Sequence, residues 1–326
     1  MSLRWGILGT ARINRRLIPA IRMAPRSKLA AVASRTRARA DVYAAEWEFP
    51  RAIEGYQALL DDPGIDAVYI SLPNSLHVPW TLAAIAAGKH VLCEKPMALV
   101  PADIDRIHAA AVAAKVVVEE GFMYRHEPLT AKVVELVQGG TLGTVRAIVS
   151  GFTFNLTHGT DPRLNPVLGG GSLWDVGCYP VTYARLLAGR DPKMVFGAAH
   201  WHAAGVDEEF MGMLRFPGGT TATIYSGFRA ALRTWLEVIG SEASLTVPNP
   251  FKPGIIETLE LERDGRLEAI PVAGSPELFV RQIEHFENSA LDGATSVVTL
   301  ADSRNAAATL SVLLDSARDS AAMYPD

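Results

Sequence analysis

Two groups of residues in this chain have the types and spacing for proton chemistry on a small polar molecule. The first is Glu94-Lys95-Pro96, directly after the apolar run Val91-Leu92-Cys93. A lysine at a strand end can donate to a substrate oxygen. Beside a cationic ring its pKa can fall into a range that suits proton transfer, with Glu94 to orient it. A Glu-Lys pair by itself is more often a surface ion pair of little weight, so the strand-end location carries the reading. The second group is Gly169-Gly170-Gly171-Ser172-Leu173-Trp174-Asp175-Val176-Gly177-Cys178-Tyr179, a glycine loop leading into a helix. Asp175 and Tyr179 are four apart, which on an α-helix puts a carboxylate and a phenol on one face, where both can address one small polyol. A neighbouring cation, Lys95 being the candidate, would lower the phenol's pKa and fit it for relay. Spacing alone favours the plainer assignment, with Asp175 a helix cap and Tyr179 a core aromatic. Cys178 reads as a small buried hydrophobe.

A third group has the types for holding an anion. In Gly6-Ile7-Leu8-Gly9-Thr10-Ala11-Arg12-Ile13-Asn14 a strand turns into a helix, the context of a dinucleotide fingerprint, with Ala11 and Asn14 at the second and third glycine positions. Ala at the second position allows a less close approach than Gly. The turn Gly9, Thr10, Ala11, Arg12, Ile13 leads into a helix N-terminus that offers N–H donors and a positive dipole end. A tight turn of this kind also occurs in α/β proteins that bind no nucleotide. After the second strand, Val32-Ala33-Ser34-Arg35-Thr36-Arg37-Ala38-Arg39 lacks the acidic residue that would accept from a ribose 2′-hydroxyl and offers a hydroxyl and guanidiniums instead. Ser34, Arg35 and Arg39 suit a 2′-phosphate, because a guanidinium fork matches a phosphate in geometry and charge. NADP is the physical inference, with Arg37 adding to the basic cluster. Loops at the carboxyl ends of two later strands, Leu72, Asn74 and His77 in one and Glu94 and Lys95 in the other, complete the expected cofactor contacts.

The elements that must position these residues follow from periodicity. Strands are expected at Leu3–Leu8, Leu29–Ser34, Ala67–Leu72, Val91–Cys93 and Val116–Glu119, alternating with helices at Ile13–Met23, Arg37–Glu46, Val78–Ala87 and Pro101–Ala114. Alternation of this kind builds a parallel sheet from βαβ units. Beyond about Gly121 the texture changes to runs separated by Gly and Pro turns, Val145–Phe154, Met211–Phe216, Thr220–Tyr225 and Trp235–Ile239, which read as a largely antiparallel sheet. Asn155 to Gly171 is expected to be an ordered loop near a site, followed by helices at Tyr179–Leu187, Glu277–Ala290 and Leu300–Asp319. The fold class is therefore α/β, a doubly wound parallel sheet in residues 1–122 that binds the cofactor. Residues 123–326 are expected to form a second, substrate-binding domain on a largely antiparallel sheet, whose last helices can pack back on the first domain.

Composition narrows the partners. With 31 basic against 35 acidic residues the formal charge is -4, which leaves no surplus to neutralise nucleic acid or an anionic bilayer. The two cysteines, Cys93 and Cys178, form no disulfide framework and have no close ligands for zinc, so no metal is expected and the setting reads as reducing and cytoplasmic. No run approaches the roughly 18 apolar residues of a membrane helix.

Taken in order, the N-terminal turn, Glu94-Lys95-Pro96, Met123-Tyr124-Arg125-His126-Glu127-Pro128 and the block Gly169 to Tyr179 resemble the Gfo/Idh/MocA oxidoreductase family over essentially the whole chain. The resemblance implies that Lys95 is the family's catalytic lysine and that Asp175 and Tyr179 meet the substrate, with Tyr124 and Arg125 as further substrate contacts. Many members carry His where this chain has Tyr179. Gly177-Cys178-Tyr179-Pro180 is most similar to the branch of NADP-dependent xylose dehydrogenase, dimeric dihydrodiol dehydrogenase and glucose-fructose oxidoreductase. That branch implies Tyr179 as general acid/base and Lys95 tuning it. It also implies hydride exchange between the nicotinamide and a carbinol carbon, an open, mostly antiparallel sheet in the second domain, and a homodimer or homotetramer through that sheet. A xylose-like aldose oxidised at C1 is the leading expectation; a trans-dihydrodiol, or a sensor that binds NADP without turnover, are the alternatives. Phe152, Phe154, Trp174 and Trp201 are aromatic candidates for the pocket wall.

Overall fold

The computed structural model describes residues 2–157, 159 and 161–323. Its contacts divide the chain into two compact units, residues 1–126 with 276–304, and residues 127–275 with 305–326.

The first unit is built on the short runs rich in Val, Ile and Ala. Strands β1 (Leu3–Leu8) and β2 (Ser27–Ser34) flank helix α1 (Asn14–Met23), and α2 (Arg37–Glu46) leads to β3 (Ala52–Glu54). Helix α3 (Tyr56–Leu60) precedes β4 (Ala67–Ile70), α4 (His77–Ala86) and β5 (His90–Cys93), and α5 (Pro101–Ala114) precedes β6 (Val118–Glu120). All six strands are parallel, in the order β3-β2-β1-β4-β5-β6. Central strands such as Val68–Ile70 and Val91–Cys93 are buried throughout, as a sheet covered on both faces requires. Strand order reverses between β1 and β4, so the crevice beyond their carboxyl ends is where a doubly wound sheet takes a ligand. β3 and α3 escape periodicity because three and five residues span no full pattern.

The second unit begins with α6 (Pro128–Gln138) and β7 (Val145–Asn155) and continues through α7 (Cys178–Ala188) into β8 (Met194–Trp201), β9 (Asp207–Arg215), β10 (Thr221–Gly227), β11 (Arg229–Gly240), β12 (Ser244–Val247), β13 (Ile256–Arg263) and β14 (Arg266–Ala273). The eight strands lie in the order β14-β13-β12-β11-β7-β10-β9-β8, antiparallel except for β10 with β7. The last hairpin, which sequence periodicity left unassigned, turns on Asp264-Gly265, both at positive φ. That dipeptide is a hairpin signal in its own right. On β9 the residues Phe210, Gly212 and Leu214 face inward, where a Cβ at Gly212 would touch Leu313, while Met211 and Met213 lie exposed on the other face.

Two helices close the chain, α8 (Val280–Asp292) and α9 (Leu300–Met323). In the first unit, Phe286 of α8 packs 5.1 Å from Trp5 of β1, and Glu287 accepts from the Ser27 hydroxyl at 2.6 Å and from the Arg26 N–H at 3.1 Å. Among the described residues, no helix is long and apolar enough to cross a membrane.

Candidate active site

In the first unit the anion site is built around Gly9. Its φ of +102° belongs to glycine, and a Cβ there would stand 2.9 Å from the Leu72 side chain and 3.4 Å from the Ser71 carbonyl. The missing side chain leaves a cradle between the ends of β1 and β4. Asn14, buried at the third fingerprint position, donates from its amide to the Gly9 carbonyl at 3.0 Å and so fixes the turn rather than opening it. Helix α1 then starts with no side-chain cap and no acidic residue in its first turn, which leaves its positive end unneutralised.

Arg39 reaches back to this turn and donates from Nε to the Thr10 hydroxyl at 2.7 Å. Arg35 and Arg39 both face Tyr56: burial pushes the Tyr56 phenol's pKa up, and these two guanidiniums oppose that rise. Arg37 points elsewhere and pairs with Asp41 at 2.8 Å, so the basic cluster has two members and not three. Ser34 is buried at the end of β2 and its carbonyl accepts from Gly55. A 2′-phosphate therefore fits these residues by charge and by donor set.

The loops after β4 and β5 are clamped by His77, fully buried, whose ring nitrogens stand 2.7 Å from the Leu72 carbonyl and 2.8 Å from the Pro96 carbonyl. Desolvation holds the imidazole pKa below its ordinary value. His77 thus acts on the site through Leu72 and Pro96. Lys95 follows β5 with a cis bond to Pro96. Its ammonium acts on Glu120, a buried carboxylic acid at the end of β6 that accepts from the Met97 N–H at 2.8 Å. Burial raises the Glu120 pKa and the Lys95 charge opposes it, while Glu94, bonded by the Tyr69 hydroxyl, adds to the rise. Glu120 was missed because its strand is short and a Glu-Glu pair reads as surface.

The Met123 to Pro128 motif is explained by packing. His126 meets Glu119 at 3.0 Å with neither side chain exposed and approaches His285 of α8 at 3.0 Å, while Arg125 donates to the Val297 carbonyl at 3.4 Å and faces Asp302. Tyr124 is wholly buried against Phe122. The substrate role of Tyr124 and Arg125 rests on the resemblance alone.

In the second unit, Asp175 and Tyr179 are neighbours, but not on a plain α-helix. Leu173–Gly177 is a π-helical turn that passes into α7 at Cys178, an irregularity frequent at functional sites. The Asp175 carboxylate is held by Arg163 Nε at 2.7 Å, and Arg163 in turn binds Asp161 and lies 5.6 Å over the Phe154 ring. The two carboxylates, Asp175 first, raise the Arg163 pKa, so its charge is secure. Arg163 comes from the expected ordered loop, where its spacing gave no sign of a role. Tyr179 is buried between Phe152 at 5.5 Å and Phe251 at 5.4 Å, and Lys252 stands 4.8 Å over Phe152. Of the aromatics expected near the pocket, Phe152 and Phe154 touch these residues, and Trp174 is buried within the turn.

Comparison with known proteins finds a family match in each half of the chain. Residues 3–122 match the oxidoreductase family with an NAD-binding Rossmann fold, and residues 130–246 match the GFO/IDH/MocA C-terminal domain. The chain belongs to the Gfo/Idh/MocA family. It is 36% identical to a D-xylose 1-dehydrogenase (NADP(+)) of Haloferax volcanii over 99% of this chain and 100% of that one. It is 40% identical to a dTDP-3,4-didehydro-2,6-dideoxy-α-D-glucose 3-reductase of Streptomyces violaceoruber over 82% and 80% of the two chains. Among solved structures, a 3-ketoreductase from Actinomadura kijaniata in complex with NADP and TDP-benzene superposes with a TM-score of 0.92 at 30% identity, covering 97% and 98%. Within the Gfo/Idh/MocA frame, the motif residues that the sequence exposed are the ones that end strands and start helices. Glu120, which meets Lys95, and Arg163, which meets Asp175, carry no motif.

Proposed function

We propose that this chain is an NADP-dependent oxidoreductase acting on CH–OH groups of sugars, with a xylose-like aldose oxidised at C1 as its substrate. The observation that carries the reading is Tyr179, a phenol seated in an aromatic box one turn from a carboxylate, Asp175, that Arg163 fixes in orientation. Relatives support it: the 36% identical chain is named as an NADP(+)-linked xylose dehydrogenase. Solved forms of the A. kijaniata 3-ketoreductase include replacements of one lysine and one tyrosine, separated by the same length of chain as Lys95 and Tyr179.

Residues 1–122 hold the cofactor and residues 123–326 the substrate. Gly9, Thr10, Ala11, Arg12 and Ile13 receive the pyrophosphate, Ser34, Arg35 and Arg39 the 2′-phosphate, and the loops of Leu72, Asn74, His77, Glu94 and Lys95 border the nicotinamide half. When bound, NADP supplies the two-electron acceptor. Tyr179 takes the hydroxyl proton as the carbinol becomes a carbonyl, and returns it in the reductive direction. Lys95 supplies the positive charge that favours the phenolate, and Asp175 orients the sugar by accepting from a hydroxyl. A sensor without turnover has no need of this proton relay.

The exposed face of the second sheet, with Phe196, Met211 and Met213 side by side across β8 and β9, supports a homodimer or homotetramer built through it. Both cysteines are buried thiols outside any disulfide, which supports a reducing, cytoplasmic setting. The test is nicotinamide absorbance with NADP and with NAD against aldoses, trans-dihydrodiols and dTDP-linked keto sugars. Turnover of aldoses with NADP is expected, and Lys95→Ala and Tyr179→Phe should each abolish it while NADP binding stays within a few fold, the double variant losing little more than either. Tight NADP binding with no turnover of any substrate would establish the sensor instead.

A further inference from the structure

The glycine-rich block was singled out by its sequence, yet Gly169 to Gly171 faces no phosphate cradle. What stands against it is Asp207, the first residue of β9, almost completely buried. Its Oδ2 accepts from the Leu173 N–H at 2.6 Å and from the Ser172 hydroxyl at 2.8 Å. An ionised carboxylate only accepts, so Ser172 is its donor, and Ser226 of β10, 3.0 Å from Ser172, donates to Ser172 in turn. The glycines make room for this chain of bonds. Gly171 has φ +121°, and a Cβ on it would run into Asp207 Oδ1; a Cβ on Gly177 would stand 2.9 Å from the Ser226 hydroxyl. Just before the turn, the Gly171 N–H donates to the Arg163 carbonyl at 2.9 Å and the Gly171 carbonyl accepts from the Asp175 N–H at 3.0 Å.

We propose that Asp207 is a positioning residue for the reaction. Its carboxylate anchors the π-helical turn at its start and so sets where Asp175 and Tyr179 stand. The proposal rests on the catalytic reading of those two residues given above. The bonds it makes point at the N–H end of the turn, where orphan donors and the helix dipole favour a negative charge. An apolar residue there would leave Leu173 N–H and the two serine hydroxyls to find other partners, and the turn would lose the contact that fixes its height above β9 and β10.

Protonation of Asp207 is the natural probe. Burial pushes its pKa up to about 6, opposed by the Leu173 and Ser172 bonds. The charged and titratable groups around it are Asp175 on the turn, Arg163 in the loop, Glu208 and Glu209 on its own strand, Arg229 paired with Glu208, Tyr225 of β10 donating to Glu209, and His200 and His202 on β8 and the turn after it. Once protonated, Asp207 brings an O–H into a ring of donors, and the anchor weakens.

The experiment is steady-state kinetics of Asp207→Asn from about pH 5 to about pH 8, with NADPH binding measured alongside. We expect kcat to fall by between about tenfold and about a hundredfold, the cost of misplacing a reacting group by a fraction of an ångström to an ångström, with NADPH affinity and KM within about threefold. The decline of wild-type kcat below about pH 6 should vanish from the variant's profile. Wild-type kcat and an unchanged acid limb in Asp207→Asn, with Tyr179→Phe inactive, would overturn this proposal and leave the catalytic reading standing. Full activity of Tyr179→Phe would remove the catalytic reading itself. If Asp207→Asn does not fold, Ser172→Ala decides: a drop of about threefold to tenfold with a displaced acid limb supports the anchor, and a wild-type profile overturns it.

Discussion

Replacing Arg39 by Ala should turn a preference for NADP into near indifference. Arg39 uses Nε on the Thr10 hydroxyl at 2.7 Å, and among the described residues its two terminal nitrogens make no other bond, so they are available to a phosphate. A hydrogen bond to a charged group contributes about 1.5–3 kcal/mol. The Arg39 side chain is exposed, where salt and water screen it, so the lower end applies, about 1.5–2 kcal/mol. At about 1.4 kcal/mol per factor of ten, NADPH should bind roughly 10- to 30-fold more weakly. NADH carries a hydroxyl at that position and should change by less than about threefold. The assay is fluorescence titration of both nucleotides at fixed ionic strength. Arg37→Ala is the internal control, because Arg37 pairs with Asp41 and should leave both affinities unchanged. Equal weakening of NADPH and NADH, or an Arg37 effect as large as that of Arg39, would refute the assignment of the 2′-phosphate to Arg35 and Arg39.

Three further outcomes follow from the same geometry. The Asp207 pKa is higher in the folded chain than its ordinary 3.8, so the folded protein binds the extra proton between about pH 4 and about pH 6 and loses that advantage as pH rises. A rise from 3.8 to about 6 corresponds to about 3 kcal/mol. The Tm of Asp207→Asn should therefore improve relative to wild type from acid to neutral pH, and a gap that closes instead would contradict the buried charge. Gly9→Ala forces a side chain into positive φ against Leu72. It should lower stability by about 1–3 kcal/mol in denaturant titration and weaken NADPH more than tenfold, and wild-type affinity would show that the turn does not cradle the cofactor. Arg163→Met removes the guanidinium from Asp175, and kcat/KM for the sugar should fall about tenfold with NADPH binding intact; unaltered kinetics would mean that Asp175 orients itself.

The chain's sequence was sufficient for what depends on local chemistry. Buried runs such as Val68 to Ile70 and helices with apolar spacing such as Leu17, Ile18 and Ile21 define the parallel sheet, because burial on both faces leaves no polar alternation to misread. Gly9, the missing acid after β2, Lys95 after β5 and the Asp175–Tyr179 pair were legible for a related reason: each lies at a strand end or helix start, where backbone geometry restricts the residue type. Tertiary structure decided what depends on partners distant in sequence. It drew Arg37 away to Asp41, made His77 a clamp between two carbonyls, and turned the Met123 to Pro128 motif toward α8 and the Val297 carbonyl. It also put Asp175 on a π-helical turn and Tyr179 on the α-helix that follows, where one plain helix was expected. The residues that meet these groups, Glu120 at Lys95, Arg163 at Asp175 and Asp207 at Leu173, have no period and no motif, because a charged side chain is fixed by the partners that meet it and those come from anywhere in the chain.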